Sequence, residues 1–74
     1  MCLSVPGKVI ELLAESDSLP MARIGFGDVE KNIVTAYTPE VKVGDYVLVH
    51  VGFSLKVINE YEANQILMDL DQIL

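Results

Sequence analysis

Cys2 and His50 are the side chains in this 74-residue sequence whose types best suit holding a transition metal, or serving as nucleophile and base near neutral pH. The chain has one cysteine and one histidine, so any thiolate–imidazole chemistry falls on this pair. Cys2 opens the run Met1-Cys2-Leu3-Ser4-Val5-Pro6-Gly7-Lys8-Val9. It sits at a chain end, where backbone order is usually lowest and solvent access highest. A structural cysteine sits instead inside a periodic apolar segment and packs like a small hydrophobe. Pro6 fixes its own φ and biases Val5 toward extended backbone, so the thiol is expected on a stiffened arm. Gly7 is expected to allow a sharp change of direction before the first apolar run.

Each residue also has a plain reading. A lone cysteine near a terminus can be incidental, and a lone histidine on a strand is commonly a hydrogen-bonded structural residue. Cys2 and His50 are far apart in sequence, and their spacing does not prove contact. A barrel could bring a strand end and an N-terminal arm together.

The elements that must position them follow from periodicity. Val9 to Leu13 is aliphatic and β-branched and suits a strand. Ala14 to Pro20 is polar and turn-prone and is expected as a loop. Met21 to Phe26 predicts a second, less regular strand, and Gly27-Asp28 a two-residue hairpin loop that tolerates positive φ. A third strand is expected over about Val29 to Tyr37, broken by Thr38-Pro39-Glu40. Lys42-Val43-Gly44-Asp45 is a turn leading into Tyr46 to Val51, the strongest strand signal. Alternation there puts Val47, Val49 and Val51 on a core face and Tyr46, Leu48 and His50 on the other. Phe53, Leu55 and Val57 continue an apolar period of two.

The ending changes period. Asn59 with Glu62 forms a capping-box pattern, and Ala63, Ile66, Leu67, Leu70, Ile73 and Leu74 recur at helical spacing. Glu60 and Glu62 fall in the first turn, where the helix dipole favours anions. The apolar stripe is expected to dock on the strands, since so small a core needs cover, although it could meet a partner. Short strands followed by one helix point to a mainly β fold, a small closed or partly closed barrel. One domain is expected over 1–74, with arm and barrel over 1–58 and an amphipathic helix over 59–74.

Composition narrows the function. Eleven acidic residues against five basic ones give a net charge of −6. The cations Lys8, Arg23, Lys31, Lys42 and Lys56 are spread singly, which disfavours a phosphate-backbone partner. No basic segment followed by an apolar stretch marks a signal peptide, and no apolar run approaches a membrane span. A single cysteine cannot form an internal disulfide, so the cytoplasm is the expected compartment.

The N-terminal run Met1 to Val9 resembles the signature of the HypC/HupF family of [NiFe]-hydrogenase maturation chaperones. The block Val43-Gly44-Asp45-Tyr46-Val47-Leu48-Val49-His50-Val51-Gly52-Phe53 is similar to their second block, histidine included. Gly25-Phe26-Gly27-Asp28-Val29 and the Glu60 to Leu74 segment also fit, so the resemblance covers essentially the whole chain. It implies a small OB-like β-barrel with a C-terminal helix, and no enzymatic activity. It implies a carrier that helps assemble the Fe(CN)2(CO) group with a HypD-type partner and delivers it to the hydrogenase large-subunit precursor. Iron would be held transiently, with no permanent cofactor. Cys2 and His50 are the implied iron ligands, and Cys2, Leu3, Val5, Pro6 and Gly7 the implied partner contacts. Family members are expected to work with Cys2 as the N-terminal residue, and the adjacent α-ammonium would then favour the thiolate.

The chemistry is coherent with that implication. Cyanide and carbonyl stabilise low-spin iron(II), for which thiolate and imidazole are plausible ligands. Two protein ligands cannot close a site, which suits cargo that must be released. Structural zinc wants four soft ligands, which this chain does not offer. Two other classes stay open on the residues alone. An OB nucleic-acid module needs a basic groove with aromatic platforms, whereas the three tyrosines and two phenylalanines here are scattered. A cysteine–histidine enzyme needs a group to orient the base, for which Asp45 is the candidate.

Overall fold

The structure, a computed structural model, describes residues 4–13 and 19–73. Among the described residues five strands, β1 (Val5–Leu13), β2 (Met21–Phe26), β3 (Val29–Val34), β4 (Tyr46–His50) and β5 (Phe53–Ile58), precede one helix, α1 (Glu60–Ile73). The strands close into a barrel in the order β1-β2-β3-β5-β4. That is the five-stranded OB-like barrel with a C-terminal helix that the sequence implies. Every pairing is antiparallel except β3 with β5, which meet in parallel only at Val34 and Phe53.

The core is small and aliphatic. Val9, Ala22, Ile24, Ile33, Val41, Val47 and Val49 form one buried cluster, with Phe26 and Val57 packed against it. Burying each valine or isoleucine is worth roughly 1.5–3 kcal/mol, so a few such side chains hold the barrel together. Thr38 and Ser54 are also buried, and the Thr38 hydroxyl donates to Ser54 Oγ at 2.9 Å. The pair satisfies each other where no water reaches.

Several boundaries differ from the sequence reading. β1 starts at Val5, so Pro6 and Gly7 lie inside a strand and not on an arm with a bend. Gly7 faces Val47 of β4 and lacks positive φ; a Cβ there would press into Ile24 and stand 2.7 Å from Phe26 Cε1. Its glycine serves close packing across the barrel rather than a turn. Pro6 is tolerated because Val9 and its odd-numbered neighbours bond toward β4, which turns Pro6 toward β2. Pairing with β2 begins only at Lys8, so no N–H is required of Pro6.

β3 ends at Val34 rather than Tyr37: the Thr35 N–H still bonds Pro20 O beside β2, but the Thr35 carbonyl accepts from the Thr38 N–H at 3.1 Å and closes a turn. Val47 and Val49 face the core as expected, but Val51 leaves the strand and is 68% exposed. In β5 Val57 packs against the core as expected, but before it the apolar face is inverted: Ser54 points inward while Phe53 and Leu55 are exposed. A register shift on β5, where Lys56 pairs Leu48 but Ser54 pairs Val49, inserts Leu55 as an extra residue and reverses the alternation.

The capping box forms reciprocally, with Asn59 N–H donating to Glu62 Oε1 at 3.2 Å and Glu62 N–H to Asn59 Oδ1 at 2.7 Å. The helix meets β1 and β4 and buries Ala63, while Leu67 and Met68 stay half-exposed. Among the described residues, the expected docking is borne out at Ala63. Among the described residues no helix is long and apolar enough to cross a membrane.

Candidate functional site

His50 is the last residue of β4, and its Cα lies opposite Phe53 of β5. The imidazole is half-buried on the outer face of the barrel, as the alternation Tyr46-Leu48-His50 requires. Among the described residues it forms no side-chain hydrogen bond and no ion pair. Its two ring nitrogens are therefore uncommitted within the barrel, which the hydrogen-bonded structural role does not match. The Phe53 ring beside it packs against Tyr37, with centroids 5.7 Å apart.

The turn after His50 is unusual. Val51 and Gly52 both take positive φ, 50° and 82°. A two-residue hairpin loop of that geometry favours Asn-Gly, because a β-branched side chain crowds the backbone in the left-handed region. The sequence reading extended the strand through Val51. The signal that could have corrected it was a glycine two residues past His50, between two alternating apolar runs.

β1 runs alongside β4 in a register that pairs Val5 with Val49, Pro6 with Leu48 and Gly7 with Val47. One residue further out on the two strands stand Ser4 and His50. Cys2 and Leu3 lie outside the described residues. Of the other implied contact residues, Pro6 and Gly7 are buried and Val5 is half-buried. Val5 borders two grooves. The first, of about 460 Å³, lies between Pro6, Phe26, Tyr46 and Leu67 of the helix. The second, of about 510 Å³, lies between Phe26, Val29, Ile33, Val49 and Val51.

Asp45, the candidate to orient an imidazole base, stands at the opposite end of β4. Its Oδ2 accepts from the Lys42 N–H at 3.0 Å, fixing the turn before the strand. Five residues of strand separate it from His50, about 16 Å at the usual rise. The cysteine–histidine enzyme thus lacks the orienting group that the sequence suggested. Among the described residues, no three His, Cys, Asp or Glu side chains converge as a metal cluster would require. Nor do the cations build a stripe for nucleic acid: Arg23 is held between Glu11, at 2.6 Å, and Glu30, at 3.0 Å. Lys8 sits 5.9 Å from the Tyr46 ring centroid in a cation–π arrangement.

The sequence matches the HupF/HypC family over residues 1–70. It is 47% identical to the hydrogenase maturation factor HypC of Synechocystis sp., over 99% of this chain and 97% of that one. It is 43% identical to HypC of Rhizobium leguminosarum bv. viciae, over 90% of this chain and 84% of the relative. Identity to the hydrogenase maturation factor HybG of Escherichia coli strain K12 is 35%, over 99% and 92%.

Proposed function

The chain belongs to the HupF/HypC family, and we propose that it carries the Fe(CN)2(CO) group during [NiFe]-hydrogenase maturation. In the coarser sense it is a hydrogenase maturation chaperone, in line with its relatives' shared role. In the finer sense, Cys2 and His50 are the protein ligands to the iron, which is cargo rather than a resident cofactor. A HypD-type protein is the partner in assembly, and the large-subunit precursor is the recipient. The partner contact centres on Cys2 and Leu3 and continues onto Val5, beside the buried Pro6 and Gly7.

One observation carries this reading: the register of β1 on β4, which ends with Val5 opposite Val49 and leaves His50 as the next residue of β4. Cys2 is two residues from Ser4, a chain reach of about 7 Å, and that reach supports the reading in which the thiolate closes on an iron held at His50. The uncommitted imidazole supports it as well. A thiolate and an imidazole satisfy low-spin iron(II) without enclosing it, so the remaining coordination stays open for exchange to the next protein. Nothing in the geometry favours an OB nucleic-acid module.

The test is infrared spectroscopy of protein purified anaerobically with a HypD-type partner, searched for bound CN and CO stretches. Iron content of wild type, Cys2→Ala and His50→Ala, each with and without the partner, assigns the ligands. We expect both stretches in the wild type, and loss of iron in both variants. His50→Ala should retain partner binding better than Cys2→Ala. Equal iron in wild type and His50→Ala would remove His50 from the site.

A further inference from the structure

β3 is paired along one edge and almost bare along the other. Toward β2 it is bonded from Phe26–Val29 to Met21–Val34, whereas toward β5 only Val34 is engaged, its N–H donating to Gly52 O at 3.0 Å. Strand bonding alternates by two residues, so Asn32 and Glu30 present their N–H and C=O along the same outward edge as Val34. Both residues are exposed, and neither backbone group is bonded among the described residues. A barrel normally removes its edges by closure; here closure is complete at one residue and leaves the rest of β3 open.

Beside this edge lies the groove of about 510 Å³ walled by Phe26, Val29, Ile33, Val49 and Val51. Its one charged lining residue is Lys31, which belongs to the core-facing row of β3 opposite Ile24. No carboxylate pairs with it among the described residues; Glu30, its neighbour on the other face, is taken by Arg23 at 3.0 Å. The groove thus offers a free ladder, an apolar wall and one ammonium, in a protein of net charge −6.

We propose that the outer edge of β3 is a strand-addition site for an extended segment of another protein. That segment would have aliphatic residues at alternate positions facing the groove and a carboxylate among them to meet Lys31. Main-chain bonds to Glu30 and Asn32 supply affinity, and the groove selects side chains. Val51 explains itself in this setting: an exposed valine in the left-handed region completes the apolar wall where asparagine would suit the turn better. A second copy of this chain is the weaker occupant, because two bodies of charge −6 repel.

The probe is a blocked peptide, acetyl-Val-Thr-Asp-Thr-Val-amide, whose two valines and aspartate share one face of an extended strand, titrated into the full-length ¹⁵N-labelled protein with amide exchange read residue by residue. At saturation, exchange at Glu30 and Asn32 should slow about tenfold or more. The amides of Val29, Lys31 and Ile33, already bonded to β2, should change little. Asn32→Pro removes an outward N–H without touching the β2 ladder and should abolish binding. Lys31→Glu should lose the Asp peptide and accept its Lys counterpart, a swap that also serves if the proline variant fails to fold. No binding up to roughly 1 mM peptide would overturn the proposal. So would binding that leaves Glu30 and Asn32 unprotected. Concentration-dependent protection of those amides without peptide would assign the edge to a second copy and overturn it as well.

Discussion

Val5–Gly7 of β1 and His50–Gly52 at the end of β4 belong to neighbouring strands, and each closes on a glycine, yet the two segments are built for opposite purposes. In the first, Pro6 and Gly7 are buried, and the glycine exists because Ile24 and Phe26 fill the space a Cβ would take. In the second, Gly52 has nothing within 4 Å of its Cβ position, and the valine before it is exposed and in the left-handed region. One segment obeys every rule of a packed strand. The other breaks a rule of turn chemistry next to the chain's single histidine. Strain kept at an exposed position needs a reason outside the fold, since the fold alone would be better served by asparagine.

The largest effect expected from breaking this contrast comes from Gly7→Ala. The added methyl must displace Ile24 and Phe26, and overpacking of this kind costs typically about 1–3 kcal/mol. Urea unfolding should show a lower midpoint at unchanged slope, with partner binding falling only as far as the folded population falls. Full stability with lost partner binding would make Gly7 a contact residue and erase the difference between the segments.

How much of this was legible in the sequence depends on the range of the interactions. The capping box of Asn59 and Glu62 and the Gly27-Asp28 turn are local, and both stand where the sequence puts them. Val47 and Val49 facing inward also follow from simple alternation. The inversion at Phe53, Ser54 and Leu55 was hidden, because a bulge is specified by the partner strand and by the buried Thr38 hydroxyl that donates to Ser54. Gly7 was misread for the same reason: the side chains that forbid a Cβ come from β2, more than fifteen residues away. Of the site, both ligand types were legible as chemistry, but the open edge of β3 was not. Which strand goes unpaired is decided by barrel closure, and no local pattern in Val29 to Val34 records it.

A smaller and opposite effect is expected from Val51→Asn. Relieving a β-branched residue in the left-handed region returns about 1 kcal/mol, so the variant should unfold at a higher urea concentration than wild type. The same change removes part of the apolar wall beside β3, and peptide binding at that edge should weaken. Stability and binding moving in opposite directions would sharpen the contrast. A destabilised Val51→Asn protein would show that the valine serves the barrel after all.

The smallest change in stability is expected from Cys2→Ala, and it carries the largest change in function. Among the described residues, strand pairing of β1 begins at Val5 and the buried cluster draws on no residue before Val9. Replacing the thiol should therefore shift unfolding by less than about 0.5 kcal/mol. Hydrogenase maturation should nevertheless be abolished, because one of two iron ligands and the centre of the partner contact are gone. Thermal melting and pull-down of a HypD-type protein read the two arms separately. Gly7→Ala then becomes the matched control: it damages the fold while leaving the thiol in place, so its loss of maturation should track its folded fraction. A large drop in melting temperature for Cys2→Ala would make the cysteine structural. Undiminished binding and hydrogenase activity would leave His50 and groups from the partner to hold the iron without it.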